Sequence, residues 1–341
     1  NLSDLGYGTH VVHNNGGNFY SRANAFSQMG FDTFTSKEMI NIQEYTPLGT
    51  WPTDNCLIPE LEKSLNSTPG QPDFAYTITV QGHGSYPSEK VLEHPEITVT
   101  GGRTEAENYQ YEYYINMLHE VDKFIGDLLE MLSQRDEKTI VVLFGDHLPT
   151  MGLTEADMET GSLFQTKYAT WNNFGLPNNS RELTSYQLMP NIVEQLNIHE
   201  GTMTSYHQSR DYLVDESYET DMEILQYDIL YGQRYAYGKE DLYPASDLEM
   251  GVEDIRLTTF VPTEEKLIVT GDHFTPWSRV FVGGEKVSTT FLSSNQLQIK
   301  MSALKDGDNH IVVNQMGSSN TVFRSSNEKV YHKIATENVS Q

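Results

Sequence analysis

A chain of 341 residues has room for a full core and for two domains. Its net charge of -26 offers no basic stripe to neutralise phosphates, which excludes a nucleic-acid partner, and an acidic surface is unsuited to peripheral adhesion on anionic lipid. One cysteine, Cys56, allows no internal disulfide, no apolar run reaches membrane-spanning length and no signal peptide is visible. The opening residues read as the end of a helix running into a strand, so the chain is expected to be a fragment.

Residues 7–13 read as a β-strand that ends at His13. A loop of turn formers, Asn14-Asn15-Gly16-Gly17-Asn18, leads through Tyr20 and Arg22 into a helix over 23–29, closed by Gly30. This strand, loop and helix present His13, Tyr20 and Arg22 near one another. The planar fork of Arg22 suits a phosphate, an ordinary surface ion pair being the alternative. Residues 35–72 are mixed and carry Pro47, Pro52, Pro59 and Pro69 among others, with a helix expected near 59–65; Trp51 and Cys56 there suggest no chemistry.

The next strand, 74–80, ends in Gln81-Gly82-His83-Gly84, where flanking glycines let backbone and ligand come close to His83. A long helix over 105–132 repeats Ile115, Leu118, Val121, Ile125, Leu128 and Leu132 at spacings of three and four, giving one apolar face. The β-branched run 139–144 has the composition of a strand buried on both faces and closes on Gly145-Asp146-His147. A strand, a helix and a strand in this order indicate a parallel sheet flanked by helices, an α/β fold. Such sheets bind ligands at the carboxyl ends of their strands. The carboxylate of Asp146 and the imidazole of His147 suit a divalent ion there, and His83 at its own strand end could donate to a phosphate or a leaving oxygen.

A strand is expected over 167–173 and an amphipathic helix over 185–196. Residues 200–245 are rich in tyrosine, with helices expected over 206–213 and 218–231 and the rings serving mainly as packing. Composition shifts near 244–256. Beyond it, strands at 266–270, 279–282, 296–300 and 310–314 alternate with turn clusters, as in a small all-β immunoglobulin-like sandwich. Gly271-Asp272-His273 repeats the earlier tripeptide in a turn without a second polar cluster, and reads as structural. The domains are therefore expected at 1–200, 201–250 (a helical extension packed on the first) and 256–330.

Val142-Leu143-Phe144-Gly145-Asp146-His147-Leu148-Pro149 resembles the signature of the lipoteichoic acid synthase family, phosphoglycerol transferases of the alkaline phosphatase and sulfatase superfamily. His13 with Phe19-Tyr20-Ser21-Arg22, Met29-Gly30-Phe31-Asp32, His83, and Tyr114 with Asp122 resemble further family motifs. Gln226-Tyr227-Asp228-Ile229-Leu230-Tyr231-Gly232 is similar to a tail found in some members. The resemblance covers about residues 5–240, and 262–325 is similar to IPT/TIG modules.

The resemblance implies an N-terminally truncated sulfatase-like domain. It implies attack by a threonine, activated by Mn²⁺ or Mg²⁺, on phosphatidylglycerol, and transfer of glycerophosphate to a growing lipoteichoic acid polymer. Asp146 and His147 would be metal ligands, and His13, Tyr20, Arg22 and His83 would bind substrate; Tyr20 stands where the best-known members have tryptophan. The threonine, one acidic ligand and the membrane spans would lie upstream of Asn1, leaving this chain alone inactive, with two metal ligands and an open sheet edge. The implied location is the outer face of a Gram-positive-type cell membrane. The alternatives are a phosphoethanolamine transferase or sulfatase of the same superfamily, separable by headgroup release from different phospholipids, and a non-catalytic cell-wall binding module.

Overall fold

Val11 and Val12 are neighbours on the strand Gly8–His13 (β1) and, because side chains alternate along a strand, they enter two different hydrophobic layers. In this computed structural model, which describes residues 2–238 and 243–334, β1 is buried along its whole length. The helix Arg22–Gln28 (α1) follows, then the strand Thr33–Thr35 (β2), the helix Leu57–Asn66 (α2), the strand Asp73–Ile78 (β3) and the helix Glu105–Ser133 (α3). β3, β1 and β2 pair in parallel in that order. Val12 packs with Leu57 and Leu61 of α2 and with Phe124, Leu128 and Leu132 of α3 on one face. Val11 packs with Phe26 of α1, Phe31 and Phe34 on the other. The expected α/β architecture of a parallel sheet flanked by helices is therefore present.

Two details depart from the sequence pattern. The buried stripe of α3 runs through Tyr113, Met117, Phe124, Leu128 and Leu132, whereas Leu118 is exposed. The packing face is rotated toward the bulkier aromatic and methionine side chains, which remove more apolar surface from water than the aliphatic series. The strand Ile140–Phe144 (β4) is only half-buried and pairs antiparallel with Tyr168–Asn172 (β5) in a separate two-stranded sheet. It is not buried on both faces as its composition suggested. Val141 and Trp171 of this pair pack toward the α3 layer, while Phe144 is left exposed.

The chain divides into two compact units. One comprises Phe174–Ala245 with the first residues to Gly6, and the other comprises Tyr7–Asn173 with Ser246–Gln341. In the first unit the helices Ser185–Gln195 (α4), Thr202–Ser209 (α5) and Glu216–Leu230 (α6) surround Tyr218, which is fully buried and bonded through its hydroxyl to Gln187 and His207. Tyr212 is buried as well, but Tyr227, Tyr231, Tyr235 and Tyr243 are exposed, so only part of the tyrosine series is packing. Residues 239–242 of that stretch lie outside the described residues.

The stretch read as a boundary contributes a strand. Glu249–Met250 (β6) adds to β2 in parallel, giving the order β3-β1-β2-β6. Two antiparallel sheets follow. Arg256–Pro262 (β7), Lys266–Asp272 (β8), Thr290–Ser293 (β11) and Gln296–Lys300 (β12) form one; Ser278–Val282 (β9), Glu285–Lys286 (β10), Gly307–Met316 (β13), Val322–Ser325 (β14) and Lys329–Lys333 (β15) form the other. Leu267, Val269, Phe274, Val280, Leu297, Ile311 and Val313 fill the space between them, the expected sandwich. Gly271 lies so close to the Arg256 carbonyl oxygen that a Cβ there would be 1.9 Å away, and His273 is bonded to Asp254, so the repeated tripeptide is structural. Among the described residues no helix is long and apolar enough to cross a membrane.

Candidate active site

β1 and β3 are parallel neighbours, so their carboxyl ends open on the same edge. His13 ends β1 opposite Ile78, which ends β3, and its Nδ1–H donates to the Ile78 carbonyl oxygen at 2.8 Å. A carbonyl only accepts, so this bond fixes the tautomer and leaves a lone pair on Nε2. That atom is buried and has no protein partner, and the residue is 2% exposed. Burial, with Arg22 and Lys37 nearby, outweighs the carbonyl bond and lowers the His13 pKa from 6.5 to about 4. The ring is thus a neutral, buried acceptor, suited to a ligand hydroxyl rather than to an anionic oxygen.

Tyr20 and Ser21 both have left-handed backbones, with φ of 53° and 54°. Two successive non-glycine residues in that region carry strain, which is found where surrounding structure holds a functional loop. The result is a Tyr20 ring 83% exposed at the tip. Arg22 opens α1; its Nη1 donates to the Gly16 carbonyl oxygen at 3.1 Å, and its guanidinium lies 5.1 Å from the Phe19 ring centre and 5.7 Å from that of Tyr20. Partial burial lowers its pKa, though an arginine remains charged.

His83 follows β3. Its Nδ1–H donates to the Gly84 carbonyl oxygen, which also receives the Trp51 indole N–H, each at 2.8 Å. The Trp51 ring meets His83 edge-on at 5.2 Å, and the His147 ring lies 6.4 Å from His83 on another side. His147 in turn donates from Nδ1 to the Leu148 carbonyl oxygen, so its Nε2 keeps a lone pair and stands 3.7 Å from Asp146 Oδ2. Both side chains are open to solvent, at 60% and 81% exposed. The 6.4 Å between the His83 and His147 rings brings the residues that follow β3 and β4 together; burial raises the pKa of the Tyr76 phenol on β3, and the Asp146 charge raises it further.

The structure therefore gathers His13, Tyr20 and Arg22 into one group and His83, Asp146 and His147 into another, along the carboxyl ends of β1, β3 and β4. One imidazole nitrogen and one carboxylate oxygen are donor types suited to a single divalent ion, whose bonds of about 2.0–2.2 Å set neighbouring donors roughly 3–3.5 Å apart; the 3.7 Å between these two is slightly wider, and both exposed side chains can close it. Among the described residues no group of three or more His, Cys, Asp or Glu side chains could hold a metal.

Sequence reasoning missed Trp51 and the buried scaffold behind the site. Asp54 is fully buried; it accepts from Asn14 Nδ2 at 2.8 Å and from the Val80 and Gln81 amides at 3.0 and 3.3 Å. Gln81 returns a bond to the Asp54 amide and reaches Glu120 on α3. Burial raises the Asp54 pKa, and these bonds oppose the rise. Asp54 and Trp51 stand in a proline-rich stretch without periodicity, and no local signal marks them. Cys56 is half-buried, and desolvation pushes its thiol up to about 12, so it is unreactive.

A parallel sheet with helices on both faces and polar side chains converging on its carboxyl edge is an α/β architecture that binds ligands at its strand ends. The chain belongs to the sulfatase family, whose profile matches residues 2–198, and an IPT/TIG domain profile matches 253–331. A protein of Rhizobium meliloti (strain 1021) named for cyclic beta-1,2-glucan modification is 32% identical over 146 residues, 43% of this chain and 22% of that protein. The phosphoglycerol transferase GacH of Streptococcus pyogenes, solved in complex with sn-glycerol-1-phosphate, has a similar fold. It superimposes with a TM-score of 0.57 at 22% identity over 71% of this chain and 66% of the other. The lipoteichoic acid synthase LtaP of Listeria monocytogenes aligns with a TM-score of 0.38 at 24% identity over 50% and 44% of the two chains. The chain thus spans about a fifth of the first relative and just under two thirds of the transferase structure. The resemblance carried by residues 142–149 and their companion motifs holds at the level of family and fold.

Proposed function

We propose that this chain is part of a metal-dependent phosphoglycerol transferase. In this reading it acts at the outer face of a bacterial cell membrane on phosphatidylglycerol and delivers glycerophosphate to a hydroxyl of a growing lipoteichoic acid polymer. The observation that carries the reading is the placement of His83 beside the Asp146–His147 pair, beyond the ends of β3 and β4, in a sulfatase-family domain. The glycerol-1-phosphate complex of GacH, a protein of the same fold, supports the ligand class.

Each side chain then has a role that its environment supports. Arg22 faces the phosphate with a charged donor, and Tyr20 covers the ligand from the exposed tip. His13 accepts a glycerol hydroxyl on its buried lone pair, and His83, oriented by the Gly84 carbonyl, donates from Nε2 to a phosphate or leaving oxygen when its ring carries both protons. Asp146 and His147 would hold Mn²⁺ (or Mg²⁺), which when bound supplies Lewis acidity toward a phosphate oxygen. A nitrogen donor favours Mn²⁺ of the two.

The test is titration of the chain with MnCl₂, read by water-proton relaxation, and with sn-glycerol-1-phosphate, read by calorimetry. Asp146→Ala and His147→Ala should each abolish manganese binding, and Arg22→Ala should abolish glycerol phosphate binding. Unchanged binding in all three variants sinks the reading. The name of the Rhizobium meliloti relative favours a second acceptor, a glycan hydroxyl. Supplying the whole protein with glucan and with glycerophosphate polymer, and following which gains phosphorus, separates the two.

A further inference from the structure

The loop that carries Arg22 and Tyr20 is held from behind by the β-sandwich. Gly17 is buried, and a Cβ on it would lie 2.8 Å from the Phe323 ring on β14, 3.0 Å from Ser36 Oγ and 3.2 Å from Met250 Cε. Phe323 also joins the hydrophobic layer of Val11, Phe26 and Phe34, so a sandwich side chain closes one face of the parallel sheet. The Gly17 amide donates to Glu38 Oε2 at 3.1 Å, and Ser36 donates to the same oxygen at 2.6 Å. The Glu38 carbonyl oxygen accepts from Thr275 Oγ1 at 2.7 Å and from Gln315 Nε2, both on the sandwich and both buried. One residue on, Asn18 Nδ2 donates to the Ser318 carbonyl oxygen at 3.2 Å and to Thr321 Oγ1 at 2.7 Å.

These contacts converge on the residues that aim the guanidinium. Gly16 supplies the carbonyl that anchors Arg22, and Gly17 supplies the one that accepts the Ala23 amide in the first turn of α1. Asn18 O accepts the Ser21 amide and so closes the strained turn at Tyr20. Left alone, two successive non-glycine residues at positive φ would relax, and the Arg22 fork would lose its bearing. We infer that the sandwich is a positioning element of the ligand site. Through Phe323, Gln315, Thr275 and the turn at 318–321 it holds Gly16–Asn18, and thereby Arg22 and Tyr20, in a binding-ready arrangement. Phe323 and Asn18 are positioning residues that touch no ligand themselves. The inference rests on the glycerol phosphate reading for its functional consequence, though not for its structural content.

Two readouts on the full chain keep these apart. Hydrogen exchange of the Gly17, Ser21 and Ala23 amides reports the loop without any ligand, with Val11 and Val12 of β1 as internal reference. Calorimetry with sn-glycerol-1-phosphate reports the consequence, with Arg22→Ala as the control for the site. Phe323→Ala and, separately, the milder surface change Asn18→Ala should speed exchange at the three loop amides at least tenfold while Val11 and Val12 stay protected. Both should weaken glycerol phosphate at least fivefold, and Phe323→Leu, which refills the contact with Gly17, should restore most of both. Unchanged loop exchange in both alanine variants overturns the inference, as does wild-type affinity in both when Arg22→Ala abolishes binding. If the wild-type chain binds no glycerol phosphate, the functional reading fails, and the exchange data alone decide whether the sandwich holds the loop.

Discussion

At the scale of single residues, Arg22 and His13 make opposite demands on a ligand. Arg22 is the only arginine before Arg103, in a chain of net charge -26, so no neighbouring arginine replaces it. On the proposed function, a charged hydrogen bond of about 1.5–3 kcal/mol predicts at least a tenfold loss of turnover for Arg22→Ala in the whole protein, measured as diacylglycerol release from phosphatidylglycerol. Arg22→Lys should recover little, since a point charge lacks the planar fork. His13 is different because burial holds it neutral. Between its ordinary pKa of 6.5 and its folded value of about 4, the unfolded chain binds a proton and the folded one does not. Its stabilising contribution is complete above pH 6.5 and is lost as pH falls toward 4, amounting to about 2 kcal/mol between pH 7 and 5. The urea midpoint of His13→Gln should therefore fall less on acidification than that of the wild type; parallel curves would refute the assignment of a buried neutral ring.

At the scale of elements, the scaffold behind the site depends on one carboxylate. Asp54 satisfies Asn14 Nδ2 and two backbone amides in a fully buried place. Asp54→Ala leaves these donors without partners and should cost roughly 3 kcal/mol. Trp51, Trp171 and Trp277 all lie in the unit of Tyr7–Asn173 and Ser246–Gln341, so tryptophan fluorescence in urea reads that unit's stability. In the sandwich, Gly271→Ala would drive a methyl group into the Arg256 carbonyl and the Phe274 ring. A loss above about 4 kcal/mol is expected, seen as failure of β7 and β8 to protect their amides from exchange. The helix α3 shows how far a local pattern reaches. Its extent follows from composition, with Thr104 capping the Glu107 amide, but the face that it turns to the sheet is that of Phe124, Leu128 and Leu132.

At the scale of the whole molecule, the sandwich is not an appendage to the α/β part. Arg324 on β14 bonds to the Met250 and Gly251 carbonyl oxygens and to Asp254, and Phe323 beside it completes a hydrophobic layer of the parallel sheet. Removing residues 256–341 would expose Val11, Phe26, Phe34 and Met250 along that face. The truncated chain is expected to aggregate or to bind a hydrophobic dye strongly, checked by size-exclusion chromatography and dye fluorescence. A soluble, monodisperse product with the far-ultraviolet spectrum of an α/β protein would contradict this.

Composition and period by themselves determined the α/β class, the strands ending near His13 and His83, the helix of α3 and the antiparallel sandwich, because each rests on local alternation or helical spacing. The juxtaposition of Asp146 and His147 beyond β4 was legible too, since the two adjoin in sequence at the end of a strand; their metal role stays a proposal. Only the tertiary structure decided that β4 pairs with β5 apart from the parallel sheet, and that β6 adds a strand inside an expected boundary. The same holds for Asp54 and Trp51 behind and beside the site. Strand partners, and hydrogen bonds between residues far apart in sequence, leave no mark on local composition. The tie between Glu38 and Gln315 joins positions 277 residues apart, and only folding brings it into being.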